Sequence, residues 1–218
     1  MRAPSLDAVR FYAILDTGYI NPARLEEFGR AVLAGGAGLV QLRAKTATTA
    51  ERVRWLHVLA PLCGAAGAVL ICNDDFEAAL AVPGVGLHVG QDDLPVPAAR
   101  AALGPERVLG LSTHSLAQAQ GALAATGLLN YFAVGPVFAT QTKPDYQAVG
   151  LDLVRAVAAL RPPLPWFCIG GINRRNVAQV RHAGACAVVA VSDVLCAADP
   201  AGVVRELKSA LASEAQSS

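Results

Sequence analysis

Residues 31–45 read Ala-Val-Leu-Ala-Gly-Gly-Ala-Gly-Leu-Val-Gln-Leu-Arg-Ala-Lys: an apolar helix end, a turn of small residues, and a strand that begins apolar and ends polar. Along a strand, residues two apart share a face, so Gln41, Arg43 and Lys45 point one way and Val40, Leu42 and Ala44 the other. One face is suited to packing, the other to an anion. The same order of helix, small-residue turn and buried strand recurs at residues 179–191, QVRHAGACAVVAV. Elsewhere the chain keeps alternating short apolar, β-branched or aromatic runs with amphipathic stretches. The runs predict strands near 11–16, 38–45, 68–74, 86–90, 107–114, 130–138, 166–172 and 187–192. Helical spacing fills the intervals, as in Leu25, Phe28, Ala31 and Val32 or in Val154, Val157 and Ala158, and stop glycines follow at Gly35, Gly36, Gly127 and Gly184. Such units, repeated eight times without a long interruption, predict an α/β fold, a single (β/α)8 TIM barrel over residues 1–218. An open doubly wound sheet is the alternative. The segment from about Ala212 to Ser218 reads as a fraying helix end.

Composition narrows the class. Hydrophobic residues make up 54% of the 218 and charged residues 16%, which points to a well-buried globular domain. A net charge of +1 gives no general attraction to nucleic acid or to an anionic membrane, so any anion affinity has to be local. The five cysteines, Cys63, Cys72, Cys168, Cys186 and Cys196, form no CxxC pair and sit in apolar runs, which predicts buried reduced thiols. No run approaches the ~18 apolar residues of a membrane span, and the start of the chain lacks a signal-peptide core. The expected compartment is the cytoplasm. A homo-oligomer is compatible with the sequence, which does not specify the oligomeric state.

In a barrel, the polar face of the second strand lines the mouth. Burying Arg43 and Lys45 there without a partner would cost several kcal/mol each, so they await either an anionic ligand or an acid on a neighbouring strand. Only three lysines exist, Lys45, Lys143 and Lys208. The third strand ends Asn73-Asp74-Asp75 and the fourth runs into Gly90-Gln91-Asp92-Asp93. Neighbouring strands lie ~4.8 Å apart, so one carboxylate from each end could share a hard cation such as Mg²⁺, although each doublet also suits a helix cap or a turn. The fifth strand ends Ser112-Thr113-His114, where Ser112 can hydrogen-bond a ligand and His114 can do acid–base work or bond a loop carbonyl. After the sixth strand, Thr140, Thr142 and Lys143 in one loop suit an oxyanion-binding lid or a solvated turn. Gly170-Gly171 and Val191-Ser192 end the seventh and eighth strands, where this fold often holds a phosphate; Asn173 is an alternative helix cap nearby. Gly84 to Gly90 does not match a dinucleotide loop, and His57, His88 and His182 lack zinc-ligand spacing.

Taken in order, QLRAK, ICNDD, HVGQDD, LGLSTH, GPVFATQTKPD, IGGI and AVS resemble the thiamine phosphate synthase family, across the second to the eighth strands. The resemblance implies a Mg²⁺-dependent transferase that joins two small phosphorylated substrates. A hydroxymethylpyrimidine diphosphate and a thiazole phosphate, or its carboxylated form, would give thiamine phosphate and pyrophosphate. It implies that Gln41, Arg43, Lys45, Asn73, Ser112 and Lys143 contact the pyrimidine diphosphate, with Arg43, Lys45 and Lys143 catalytic through the leaving group. It further implies that Asp74 and Asp93 hold Mg²⁺, and that Thr140, Thr142, Gly171, Val191 and Ser192 hold the thiazole phosphate. Two departures are Ala139, where such proteins often carry proline, and Cys168, where glycine or alanine is usual. Two other readings remain: a related thiazole tautomerase, which would make His114 catalytic, and a non-catalytic barrel that senses a phosphorylated metabolite.

Overall fold

The computed structural model describes residues 3–140 and 147–212. Its strands are β1 Phe11–Asp16, β2 Leu39–Arg43, β3 Val69–Asn73, β4 Gly86–Val89, β5 Leu109–Thr113, β6 Tyr131–Val134, β7 Trp166–Cys168 and β8 Val188–Ala190. Each is hydrogen-bonded in parallel to the next, and β8 returns to β1, so the sheet closes into an eight-stranded barrel. The single (β/α)8 barrel is therefore the fold, and the open sheet is excluded.

The helices between the strands are α1 Leu25–Ala34, α2 Thr49–Ala65, α3 Phe76–Ala81, α4 Val96–Leu103, α5 Leu116–Ala124, α6 Gly150–Ala159, α7 Val177–His182, α8 Ser192–Leu195 and α9 Pro200–Ala212. In α1, Leu25, Phe28 and Val32 are buried against the barrel, while Glu26 and Glu27 sit in the first turn, where the helix dipole favours anions. Reciprocal capping starts α2: Thr48 accepts from the backbone of Glu51, and the Glu51 carboxylate accepts from that of Thr48. Asp75 and Ser115 cap α3 and α5 in the same acceptor role. The outward residues Val40, Leu42 and Ala44 are buried under these helices.

β1 has the expected bounds, but the other strands end earlier than the sequence suggests. β2 stops at Arg43, so Lys45 lies beyond the ladder, and β7 stops at Cys168 because Gly170 and Gly171 adopt positive φ, which no regular strand contains. Asn173 is not a helix cap. Its backbone N–H donates to the Asn176 side chain, and α7 begins only after Asn176. The cysteine expectation holds for Cys63, Cys72 and Cys168, but Cys186 and Cys196 are exposed; all five are free. Cys186 precedes β8 and Cys196 follows α8, where the neighbouring residues are apolar but the chain faces outward.

Candidate active site

Parallel pairing places all strand C-terminal ends on one rim, and the registers decide which side chains meet there. Asp16 lies opposite Arg43 and Asn73 opposite His88. Inside the rim is a cavity, open to solvent on one side and lined among others by Tyr12, Gln41, Arg43, Asn73, His88, Ser112, His114, Thr140, Gly171, Val191 and Ser192.

One half of the wall is charged. Arg43 makes a close ion pair with Asp16, whose side chain is only 3% exposed. The acid-on-a-neighbouring-strand alternative is therefore realised for Arg43, and Asp16 fixes where its guanidinium stands. Lys45 lies on the rim beside the cavity, in a recess shared with Arg52, Asn73, Asp74 and Asp75, and its ammonium donates to Asp74 at 2.7 Å. The Asp74-Asp75 doublet divides its work. Asp75 caps α3 through Ala78 N at 2.9 Å and accepts from Thr49 and Arg52, so it is structural. Asp74 adopts φ 61°, a left-handed conformation that turns its side chain out of the ladder, while its backbone N–H donates to His88 O at 2.9 Å. Asp93 stands near enough to Asp74 to bear on its ionisation, and its carboxylate accepts from Gly90 N at 2.7 Å. Burial raises the Asp74 carboxyl, but the Lys45 ammonium beside it outweighs burial and holds the group below its ordinary value. Two neighbouring carboxylates make a pair of hard oxygen donors that fits Mg²⁺, which typically takes one or two carboxylates plus phosphate oxygens and water. Among the described residues no group of three or more His, Cys, Asp or Glu could cage a metal alone, so an ion at this pair needs ligand oxygens as well.

The other half of the wall is backbone and hydroxyl. Gly171 and Ile172 follow β7, Val191 joins β8 to α8, and Ser192 opens α8. The glycines also have a packing reason: a Cβ on Gly170 would stand 2.3 Å from Pro136 Cα, and one on Gly171 2.7 Å from Ala139 O. The loop after β6 thus lies directly on the loop after β7. Arg174 braces the next loop through its backbone N–H, which donates to Asp193 at 3.0 Å. His114 donates from Nδ1 to the Gly135 carbonyl, the loop-bonding alternative for that residue. Thr142 and Lys143 lie outside the described residues.

Four groups on the inner wall escape the sequence reading: Tyr12, Asp16, His88 and, behind them, Tyr131. Tyr12 and Tyr131 read as core aromatics, and His88 reads only as a poor zinc ligand. The available signal was a lone polar residue between Leu87 and Val89, which in a strand buried on both faces has to point into the barrel. The cysteine next to the wall is not a ready nucleophile. Burial pushes the Cys72 thiol, behind Asn73, up to about 12, so it stays protonated. The arrangement can instead hold a doubly charged anion at one side of the mouth and a phosphate at the other.

Comparisons with known proteins show the family. Residues 11–194 match the family described as thiamine monophosphate synthase. A thiamine-phosphate synthase of Streptomyces avermitilis is 47% identical over 182 residues, 84% of each chain. One from Acidothermus cellulolyticus is 43% identical over 99% of this chain and 100% of its own. The solved thiamine phosphate pyrophosphorylase of Pyrococcus furiosus superposes with a TM-score of 0.82 at 29% identity, covering 93% of this chain and 95% of that one. The eight-stranded barrel, the divided mouth and these relatives together place the chain in the thiamine monophosphate synthase family, as a transferase of thiamine biosynthesis.

Proposed function

We propose that the protein condenses 4-amino-2-methyl-5-hydroxymethylpyrimidine diphosphate with 4-methyl-5-(2-phosphoethyl)thiazole, or its carboxylated form, releasing pyrophosphate. The observation that carries this reading is the charge division of the mouth: Arg43, Lys45, Asp74 and Asp93 on one side, glycine backbone and Ser192 on the other. Arg43 and Lys45, with Lys143, would grip the diphosphate and stabilise the charge that builds up as the carbon–oxygen bond breaks. Asp74 and Asp93 would hold Mg²⁺, which when bound supplies further neutralisation of the leaving group. Asn73, Gln41 and Ser112 would orient the pyrimidine. Thr140, Thr142, Gly171, Val191 and Ser192 would hold the thiazole phosphate so that the ring nitrogen faces the departing carbon. Departure of pyrophosphate before attack would leave a pyrimidine-stabilised carbocation, captured by the thiazole nitrogen. A dissociative route asks for positioning and electrostatics rather than a protein nucleophile, in keeping with the protonated Cys72. We place the reaction in the cytoplasm; no helix among the described residues is long and apolar enough to cross a membrane.

The test is pyrophosphate release with the purified chain. Release that requires both substrates and Mg²⁺, and that stops with EDTA, supports the reading. Tight binding without turnover would make the protein a sensor, and isomerisation of a thiazole phosphate alone would make it the tautomerase.

A further inference from the structure

Five polar side chains cross the barrel interior as one hydrogen-bonded chain. Gln41 Nε2 donates to the Tyr12 hydroxyl, Tyr12 meets the Tyr131 hydroxyl at 2.9 Å, Tyr131 meets His88 Nδ1 at 2.9 Å, and His88 Nε2 meets Ser112 Oγ at 2.9 Å. All five are at most 7% exposed, and they come from β2, β1, β6, β4 and β5. The barrel is built around this chain. Tyr131 packs edge-on to Tyr12 and Phe167 and stacks on His88, and Gly110 makes room for it: a Cβ there would stand 2.1 Å from Tyr131 Cζ.

Proton counting gives the chain a direction. Tyr12 accepts from Gln41, so its single proton goes to Tyr131; the Tyr131 proton then goes to His88 Nδ1. A neutral imidazole that accepts at Nδ1 carries its proton on Nε2 and donates it to Ser112. Burial raises both phenols well above their ordinary values, so neither proton is lost near neutrality. Ser112, already accepting from His88, directs its own proton elsewhere, and Gln41, its nitrogen turned to Tyr12, contributes its carbonyl oxygen. Both ends line the cavity, whereas Tyr131 does not.

We infer that Tyr131 and His88 are positioning residues that fix Ser112 as a donor and Gln41 as an acceptor, so that the cavity reads the ring nitrogen and amino group on one edge of an aminopyrimidine. The inference deepens the substrate assignment proposed above and rests on it. A buried site of fixed polarity rejects an analogue that presents a mismatched group, because its own groups are then left unpaired.

The test uses Tyr131→Phe, which deletes the central hydroxyl and keeps the ring, and two measurements on the full chain. In the ligand-free protein, ¹⁵N NMR of the histidine ring, with the His88 signals identified by their loss in His88→Leu, should show one neutral Nε2–H tautomer in the wild type and a mixture in Tyr131→Phe. An Nδ1–H tautomer in the wild type, or no change in the variant, overturns the chain. In turnover, the wild-type preference for the aminopyrimidine diphosphate over its 4-oxo analogue, a donor replaced by an acceptor, should fall at least about tenfold in Tyr131→Phe while the KM for the thiazole phosphate is unchanged. An unchanged preference overturns the inference. Should Tyr131→Phe fail to fold, the His88 pair decides: His88→Gln, whose amide nitrogen stands at the Nε2 position, should keep the preference and His88→Leu should lose it, and equal values in the two overturn it. A wild-type protein that turns over no pyrimidine diphosphate overturns the substrate reading and with it the pyrimidine edge, while the tautomer measurement still decides the chain.

Discussion

Asp16 holds two partners, Arg43 through one carboxylate oxygen and Gly18 N through the other at 2.9 Å. Asp16→Asn can keep the second bond while removing the charge, so it isolates the ion pair. Removing one partner of a buried pair leaves an uncompensated charge, and the loss expected from urea unfolding is about 3 kcal/mol. Arg43 would also lose the contact that fixes its guanidinium, so turnover should fall with stability. A stable variant with native activity would show that Arg43 is held by other means. Asp93 allows a similar separation: Asp93→Asn can still accept from Gly90 N but contributes no carboxylate beside Asp74. It should fold normally and lose about 3 kcal/mol of transition-state stabilisation, roughly a hundredfold in Mg²⁺-dependent rate, as steady-state kinetics would record. Wild-type kinetics would remove Asp93 from the metal assignment. Lys143→Ala should depress kcat more than affinity for the thiazole phosphate, and the opposite split would move Lys143 to the other phosphate.

At the level of the element, β5 and β6 depend on one glycine. Gly110 faces Tyr131 across the β5–β6 ladder, and the Tyr131 ring fills the place a side chain would take. Gly110→Ala should therefore cost about 1–3 kcal/mol from overpacking, measured by chemical denaturation, and should disturb His88 and Ser112 through Tyr131. No loss would mean that the ring can move aside. The same elements explain which parts of the molecule the sequence could disclose. β2 was legible because Gln41 and Arg43 are polar among buried neighbours, so period two stands out. The bounds of β1 were legible, but its inward face was not, since its inward residues Tyr12 and Ile14 are as apolar in appearance as its outward ones, and Asp16 reveals its role only through the register that sets it opposite Arg43. Residue type and spacing did not separate Asp74 from Asp75, which only the family resemblance told apart, because what distinguishes them is backbone: Asp75 is a helix cap at φ −84°, Asp74 a left-handed residue at φ 61°. The strand ends were overextended for the same reason, as apolar residues such as Ile169 and Ile172 continue past β7 into loops that pack on the loop after β6.

Closure of the whole barrel is what brings the two proposed anion sites together. Pairing of β8 with β1, with Ala13 opposite Ala190, sets the Val191-Ser192 segment across one cavity from Arg43 and Asn73. A ligand that bridges residues from several strands binds only the closed barrel, so it should stabilise the entire domain by RT ln(1 + [L]/Kd), about 2.7 kcal/mol at a hundredfold excess over Kd. With the proposed Mg²⁺ at Asp74 and Asp93 beside Lys45, this stabilisation would be metal-dependent for a diphosphate. In thermal unfolding, pyrophosphate with Mg²⁺ should raise Tm by several degrees, whereas Mg²⁺ alone should do little because two carboxylates offer too few ligands. EDTA should remove most of the pyrophosphate effect, and Asp93→Asn should make the protein indifferent to Mg²⁺. Inorganic phosphate, as a ligand for the glycine and Ser192 side, should still raise Tm in that variant. Equal stabilisation by pyrophosphate with and without Mg²⁺ would assign the diphosphate grip to Arg43 and the lysines alone.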